Sequence, residues 1–213
     1  MPLRDKATSL AGEAKGETIM NTKAELRRAF KARGAALTSE YRAAADRAIR
    51  DAVLQSEAWR VSRNVFLYVS MWAEPDTRAL IDAALKAGKS VYVPLCCPER
   101  VMKAVRIRSL EELRPGTHGI PEPPADGEAA EPGTLELAVV PCITAAKDGA
   151  RLGHGAGYYD RFLHRQACPT LCLCYGKMLA DTLPMDAHDI WMDFVVTESG
   201  ITAHSPDSSV LKS

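Results

Sequence analysis

The stretch Arg151-Leu152-Gly153-His154-Gly155-Ala156-Gly157-Tyr158-Tyr159-Asp160-Arg161 decides how this chain is read. Glycines alternate with other residues at positions 153, 155 and 157, and a short helix is expected from Tyr158 to about residue 165. Glycine has no Cβ, so its backbone enters left-handed regions and comes close to a ligand. Alternating glycines can turn several backbone N–H groups toward one point. Ahead of a helix N-terminus, such a loop makes a cradle for phosphate. Arg151 and Arg161 flank it with positive charge, and Asp160 adds a carboxylate able to hold a metal ion. A plain glycine-rich connection with solvated charges would look the same locally. Two familiar phosphate loops fit badly. A Rossmann site needs G-x-G-x-x-G directly after a strand, whereas here the apolar run ends near Val140 and the third glycine comes one residue early. A Walker A loop needs G-x-x-x-x-G-K-[ST], which is absent.

Working outward, residues 135–141 contain Leu137-Ala138-Val139-Val140 and end at Pro141, as a buried parallel strand would. Residues 65–69 form a similar run, Val-Phe-Leu-Tyr-Val. After them Pro75 disfavours helix at Glu74. Asp76 or Thr77 is placed to cap a helix that runs to about Ala87 and ends at Gly88. Glu74 thus stands at the carboxyl end of a strand, the edge where open α/β sheets bind ligands. A solvated loop acid is the plainer alternative. Residues 90–94, 101–107, 170–175 and 193–197 read as further strands, the last opening with Asp193. A helix from Thr22 sets Leu26, Ala29 and Phe30 on one side and Lys23, Arg27, Arg28 and Lys31 on or near another. A second helix follows the natural caps Thr38-Ser39, with Tyr41, Ala45, Ala48, Ile49, Ala52 and Val53 as its apolar stripe. Residues 114–134, rich in Pro, Gly and acid, read as a long surface loop. Strands alternating with helices define an α/β layered domain. The expected boundaries are a disordered leader over 1–21, one domain over 22–199 and a flexible tail over 200–213.

The length of 213 residues suits one domain with a full core. The 27 basic residues balance 27 acidic ones, which argues against a general nucleic-acid or anionic-membrane surface. No apolar run approaches a membrane span, and residues 1–20 lack the apolar segment of a signal peptide. Met20 is a candidate start. The six cysteines include no C-x-x-C pair and no zinc spacing, so they read as reduced and structural, in a cytosolic protein.

Several of these stretches resemble one family. Arg151, Gly153, Gly155, Gly157, Tyr158, Tyr159 and Asp160 match R-x-G-x-G-x-G-Y-Y-D at every fixed position. Lys23, Leu26 and Arg27 match K-x-x-L-R, and Met71, Glu74, Asp76 and Thr77 match M-x-x-E-x-[DE]-T. Gly119-Ile120-Pro121-Glu122-Pro123 and Leu183-Pro184-Met185 are also similar. These are features of the 5-formyltetrahydrofolate cyclo-ligase (5,10-methenyltetrahydrofolate synthetase) family, and the likeness covers about residues 23–197. The resemblance implies a single-domain three-layer α/β/α sandwich with a mixed, largely parallel sheet. It implies ATP- and Mg2+-dependent cyclisation of 5-formyltetrahydrofolate to 5,10-methenyltetrahydrofolate, with ADP and phosphate released through a phosphorylated formyl intermediate.

By the same resemblance, Lys23, Arg151 and Asp160 are catalytic. ATP contacts fall to Lys23, Arg27, Arg151, Leu152, Gly153, His154, Gly155, Ala156, Gly157, Tyr158 and Tyr159. Folate contacts, with or without a polyglutamate tail, fall to Arg27, Val69, Glu74, His154, Gly155, Ala156, Gly157 and Tyr158. Asp160 and Asp193 are the implied magnesium ligands. A cytoplasmic monomer is expected. Two departures stand out. Leu95 follows Pro94 where the family often has a basic residue, and His154 and Ala156 fill loop slots where some members carry a cation. His154 is only partly charged near neutral pH. A binding protein without turnover, or another ATP-dependent enzyme on the same scaffold, are the rivals. The second would keep the loop without needing Glu74.

Overall fold

The computed structural model describes residues 22–71, 73–116 and 119–204. The expected leader lies outside the described residues. Helix α1 (Lys23–Ala35) starts at a capping box, with the Thr22 hydroxyl accepting from Glu25 N and the Glu25 carboxylate accepting from Thr22 N. It buries Leu26 and Phe30. Helix α2 (Ser39–Gln55) is capped by Thr38 and buries Ala45, Ile49 and Val53. A short helix, α3 (Glu57–Val61), follows and buries Trp59. Strand β1 (Asn64–Leu67) leads through the Glu74 loop to α4 (Arg78–Lys86), β2 (Ser90–Cys96) and β3 (Met102–Ile107). Thr77 makes no side-chain cap on α4. Its hydroxyl instead donates to Tyr68 O at 2.6 Å and ties the loop to the end of β1.

A small hairpin, β4 (Arg114–Pro115) with β5 (Pro121–Glu122), interrupts the long loop. Strand β6 (Leu137–Pro141) is followed by a second hairpin, β7 (Thr144–Ala145) with β8 (Arg151–Leu152). That hairpin carries the chain into the glycine loop, where sequence showed only a polar connection. Helix α5 (Tyr158–Leu163), β9 (Thr170–Leu173), β10 (Phe194–Thr197) and β11 (Gly200–Ala203) complete the order. The tail expected from residue 200 is corrected here. Residues 200–203 pair antiparallel with β10, because a backbone ladder satisfies their N–H and C=O groups. The remainder, 205–213, lies outside the described residues.

The main sheet has seven strands in the order β11-β10-β9-β6-β1-β2-β3. The five inner strands run parallel, and β11 and β3 are antiparallel edges. The sheet is therefore mixed and largely parallel. Its central strands are wholly buried: Val65, Phe66, Leu67, Val139, Val140 and Leu173 are 0% exposed. The chain leaves β1 toward β2 on one side, and leaves β6 toward β9 on the other. Right-handed crossovers in opposite directions put α4 and α5 on opposite faces. Phe162 of α5 packs on Phe66, with ring centroids 4.7 Å apart. The order reverses between β1 and β6, and at such a switch point the outgoing loops diverge and leave a crevice at the carboxyl edge.

Candidate active site

A cavity of about 1180 Å³ fills that crevice. Tyr68 and Val69 enter it from the end of β1, Pro141 from the end of β6, and Pro94 and Cys96 from β2. The glycine loop, residues 153–157, forms another wall with Tyr158, Tyr159 and Asp160. Lys23 and Arg27 reach in from the first turns of α1. Their four-residue spacing puts both on one helix face.

Gly155 and Gly157 have φ of +101° and +70°, torsions that L side chains rarely adopt. A Cβ on Gly155 would also stand 3.2 Å from Arg27 Cζ. Arg27 holds the loop itself, donating from Nε to Gly153 O at 2.8 Å. Arg151 lies beneath the loop and is almost fully buried. Its Nη1 donates to Pro141 O at 3.2 Å, and Nη2 to Asp160 Oδ1 at 2.7 Å. Burial alone would lower the Arg151 pKa, but the Asp160 carboxylate outweighs it and the net shift is upward. The guanidinium also sits 5.6 Å from the centre of the Tyr159 ring. Asp160 thus anchors the start of α5 to the end of β6 through Arg151.

Glu74 faces the cavity from a tight turn. Its Oε2 accepts from Met71 N at 2.9 Å. Desolvation raises its pKa from 4.5 to about 7, against the lowering effect of the Met71 amide. His154 is shifted the other way. Burial lowers its pKa first, and the charges of Lys31, Arg151 and Arg27 add to this. The imidazole is therefore mostly neutral at pH 7 and supplies a hydrogen-bonding group, not a cation.

Fourteen of the sequence-derived site residues line this one cavity: Lys23, Arg27, Val69, Glu74, Arg151, Leu152, Gly153, His154, Gly155, Ala156, Gly157, Tyr158, Tyr159 and Asp160. Asp193 does not. It stands at the amino end of β10, where its Oδ2 accepts from Thr170 N and Thr170 Oγ1, both at 2.8 Å. That is the opposite edge of the parallel strands from the cavity, so a magnesium site shared by Asp160 and Asp193 is corrected. Besides Glu74 and Asp160, two acids that the sequence reading did not single out reach the cavity, Asp186 and Asp189, in the loop before β10. Lys23 Nζ donates to Asp186 at 2.6 Å and also to Asp189. Burial lowers the Lys23 pKa, but its hydrogen bonds to Asp186 and Asp189 and their negative charges more than reverse this, and the net shift is upward. With His188, these acids form a group whose ligand atoms lie within 4.8 Å of one another. The sequence signal was Asp186-Ala187-His188-Asp189, three chelating side chains in four positions. Arg100, Arg161, His164 and Arg165 also reach the rim.

A switch-point cavity with a glycine loop, inward cations and carboxylates is the site of an α/β protein suited to an anionic ligand. Residues 19–198 match the 5-formyltetrahydrofolate cyclo-ligase family. The 5-formyltetrahydrofolate cyclo-ligase of Mus musculus is 31% identical over 194 residues, covering 85% of this chain and 96% of that one. That of Mycolicibacterium smegmatis is 34% identical over 150 residues, covering 66% and 77%. Among solved structures, the 5,10-methenyltetrahydrofolate synthetase of Aquifex aeolicus superposes with a TM-score of 0.76 at 30% identity, covering 85% of this chain and 92% of that one. The chain belongs to the 5-formyltetrahydrofolate cyclo-ligase family. No helix among the described residues is long and apolar enough to cross a membrane.

Proposed function

We propose that this chain closes 5-formyltetrahydrofolate to 5,10-methenyltetrahydrofolate at the expense of ATP. The observation that carries the reading is the meeting of two chemistries in one cavity. Lys23, Arg27, Arg151 and the glycine loop suit a polyphosphate, and half-buried Glu74 suits the polar edge of a pterin. A formyl amide is a poor electrophile, and its oxygen is a poor leaving group. Transfer of the γ-phosphoryl group to that oxygen corrects both faults and releases ADP. The neighbouring nitrogen then bonds to the formyl carbon and loses its proton, and the carbon–oxygen bond breaks as phosphate departs.

Phosphoryl transfer asks a protein mainly for position and charge stabilisation. Loop amides and Arg27 hold the phosphates. Lys23 leaves Asp186 and Asp189 to meet the γ-phosphate. Arg151 is already fixed by Pro141 and Asp160, so it offers positive charge with little reorganisation. Glu74, when ionised, accepts from adjacent N–H groups of the pterin and sets the formyl oxygen toward the phosphate.

Asp160 and Asp189 are the proposed magnesium ligands in place of the Asp160 and Asp193 pair. Both are hard oxygen donors lining the one cavity, and Arg151 takes only one Asp160 oxygen. Magnesium commonly uses one or two carboxylates with phosphate oxygens and water. When bound it would neutralise charge on the transferred phosphoryl group. The rim cations Arg100, Arg161 and Arg165 suit the acidic tail of the folate, including a polyglutamate. A cytoplasmic monomer goes with this reading, and the free cysteines fit a reducing compartment. The test is direct. Purified protein with ATP, magnesium and 5-formyltetrahydrofolate should generate the methenyl absorbance, one product per ATP consumed. Binding of both ligands without product would overturn the reading in favour of a non-catalytic binding protein.

A further inference from the structure

Glu74 belongs to a turn whose backbone is bonded by Tyr68 and Asp46, with Tyr175 behind Asp46. Tyr68 Oη donates to Pro75 O at 2.7 Å. Asp76 N donates to Asp46 Oδ1 at 3.0 Å. Tyr175 Oη lies 2.7 Å from the same Asp46 oxygen and 3.2 Å from Glu74 O. Its single proton goes to the nearer, charged acceptor. The turn is thus bonded at Pro75 by Tyr68 and at Asp76 by Asp46, and Tyr175 acts on it by orienting the Asp46 carboxylate.

Tyr68 is the local partner, coming from the strand that precedes the turn. The other two come from far along the chain. Asp46 is in the middle of α2, and Tyr175 follows β9, two strands away from β1 in the sheet. The Tyr175 ring is buried and packs on Tyr41, with centroids 5.9 Å apart. Burial first, and the Asp46 carboxylate next, raise the Tyr175 pKa, so its hydroxyl keeps its proton and stays a donor. The neighbours that bear charge here are Arg42 and Asp76.

We infer that Asp46 and Tyr175 form a positioning pair that aims the Glu74 carboxylate into the cavity and so sets the affinity for the folate. The inference rests on the proposed function for its substrate and adds which residues hold the substrate-reading acid. Neither residue lines the cavity, and neither is bonded to Lys23, Arg27, Arg151 or the glycine loop. A disturbance of the pair therefore reaches the folate half of the site and leaves the ATP half alone. Its effect is large for its size, since small misplacements of an orienting group cost much of its benefit.

The test uses the full chain and titrates 5-formyltetrahydrofolate and ATP separately. Tyr175→Phe removes one hydroxyl and keeps the ring that packs on Tyr41. It should raise the folate Kd by about tenfold, as loss of a charge-assisted hydrogen bond does, while the ATP Kd stays within about twofold. Asp46→Asn keeps an oxygen able to accept both bonds and should retain more folate affinity than Asp46→Ala. In a Glu74→Gln background, Tyr175→Phe should add little further loss, because the group being aimed is already gone. Additive losses would overturn the inference. So would equal losses of both ligands with a large fall in Tm, which would mark the pair as structural only. If Glu74→Gln weakens folate binding and Tyr175→Phe does not, the positioning role fails and the proposed function stands. If neither variant changes folate affinity, both fall.

Discussion

Replacing Glu74 by glutamine should stabilise the ligand-free protein at pH 8 and weaken its hold on folate. The carboxyl is desolvated in the folded chain, and its pKa rises from 4.5 to about 7. The folded protein keeps this proton up to about pH 7, whereas the unfolded chain releases it near 4.5. Stability therefore falls as pH rises between those values, and the full penalty is present above the upper one. At about 1.36 kcal/mol per unit, the penalty is about 3 kcal/mol. Glutamine keeps the size, carries no charge to desolvate, and offers an oxygen that can still accept from Met71 N. The expected gain at pH 8 is about 2–3 kcal/mol, or about 4–12 °C in Tm for a domain of this size. At pH 4.5 the gain should shrink, since the wild-type carboxyl is then protonated in the folded state. The assay is thermal unfolding of both proteins at pH 8 and pH 4.5 without ligand. The same substitution should weaken 5-formyltetrahydrofolate binding at pH 8 by about 2–3 kcal/mol, because an amide turns one acceptor into a donor. Wild-type folate affinity should rise as pH passes upward through 7, as the acid ionises. A Tm that is unchanged or lower at pH 8, or a difference independent of pH, would refute the desolvated-acid argument.

Other outcomes follow from the same geometry. Asp160→Asn should sharply lower activity and weaken the response to magnesium, and it should also destabilise the fold by about 3 kcal/mol, because Arg151 is left as a buried charge without its counter-ion; turnover titrated against magnesium, with unfolding measured in parallel, checks both. Gly155→Val and Gly157→Val should lose ATP affinity, since φ of +101° and +70° are strained for valine and the new side chain enters the cradle; calorimetry showing normal ATP affinity in both would dismiss the cradle. Asp189→Asn should reduce magnesium-dependent turnover, whereas Asp193→Asn should leave turnover near wild type and lower Tm through its Thr170 contacts; the reverse pattern would restore Asp193 to the metal site.

The parts of the protein legible in its sequence are those whose physics is local. Continuous apolar runs around Val65 and Val139 marked buried parallel strands, because a strand covered on both faces needs no polar alternation. Thr38 marked a helix start, because a cap bonds to amides two or three residues away. The alternating glycines marked the cradle, since positive φ belongs to the residue itself. Glu74 could be assigned to a carboxyl edge from the strand before it and the proline after it. Even there sequence gave only the position, and the raised pKa came from neighbours that close over it in the fold. Spacing could not rank acids lying between two elements. Asp193 looked functional only through the family resemblance, its place at a strand start being that of a plain strand-entry acid; strand direction puts that end opposite the cavity, and Thr170 takes its carboxylate. Asp189 pairs with a lysine 166 positions earlier, and Tyr175 with an aspartate 129 positions earlier. Contacts at such separations depend on which strands become neighbours. The sequence by itself determined the elements, the glycine cradle and the chemical kind of the site. The tertiary structure decided which carboxylates share it, because sheet order and strand direction choose the residues that meet at one edge.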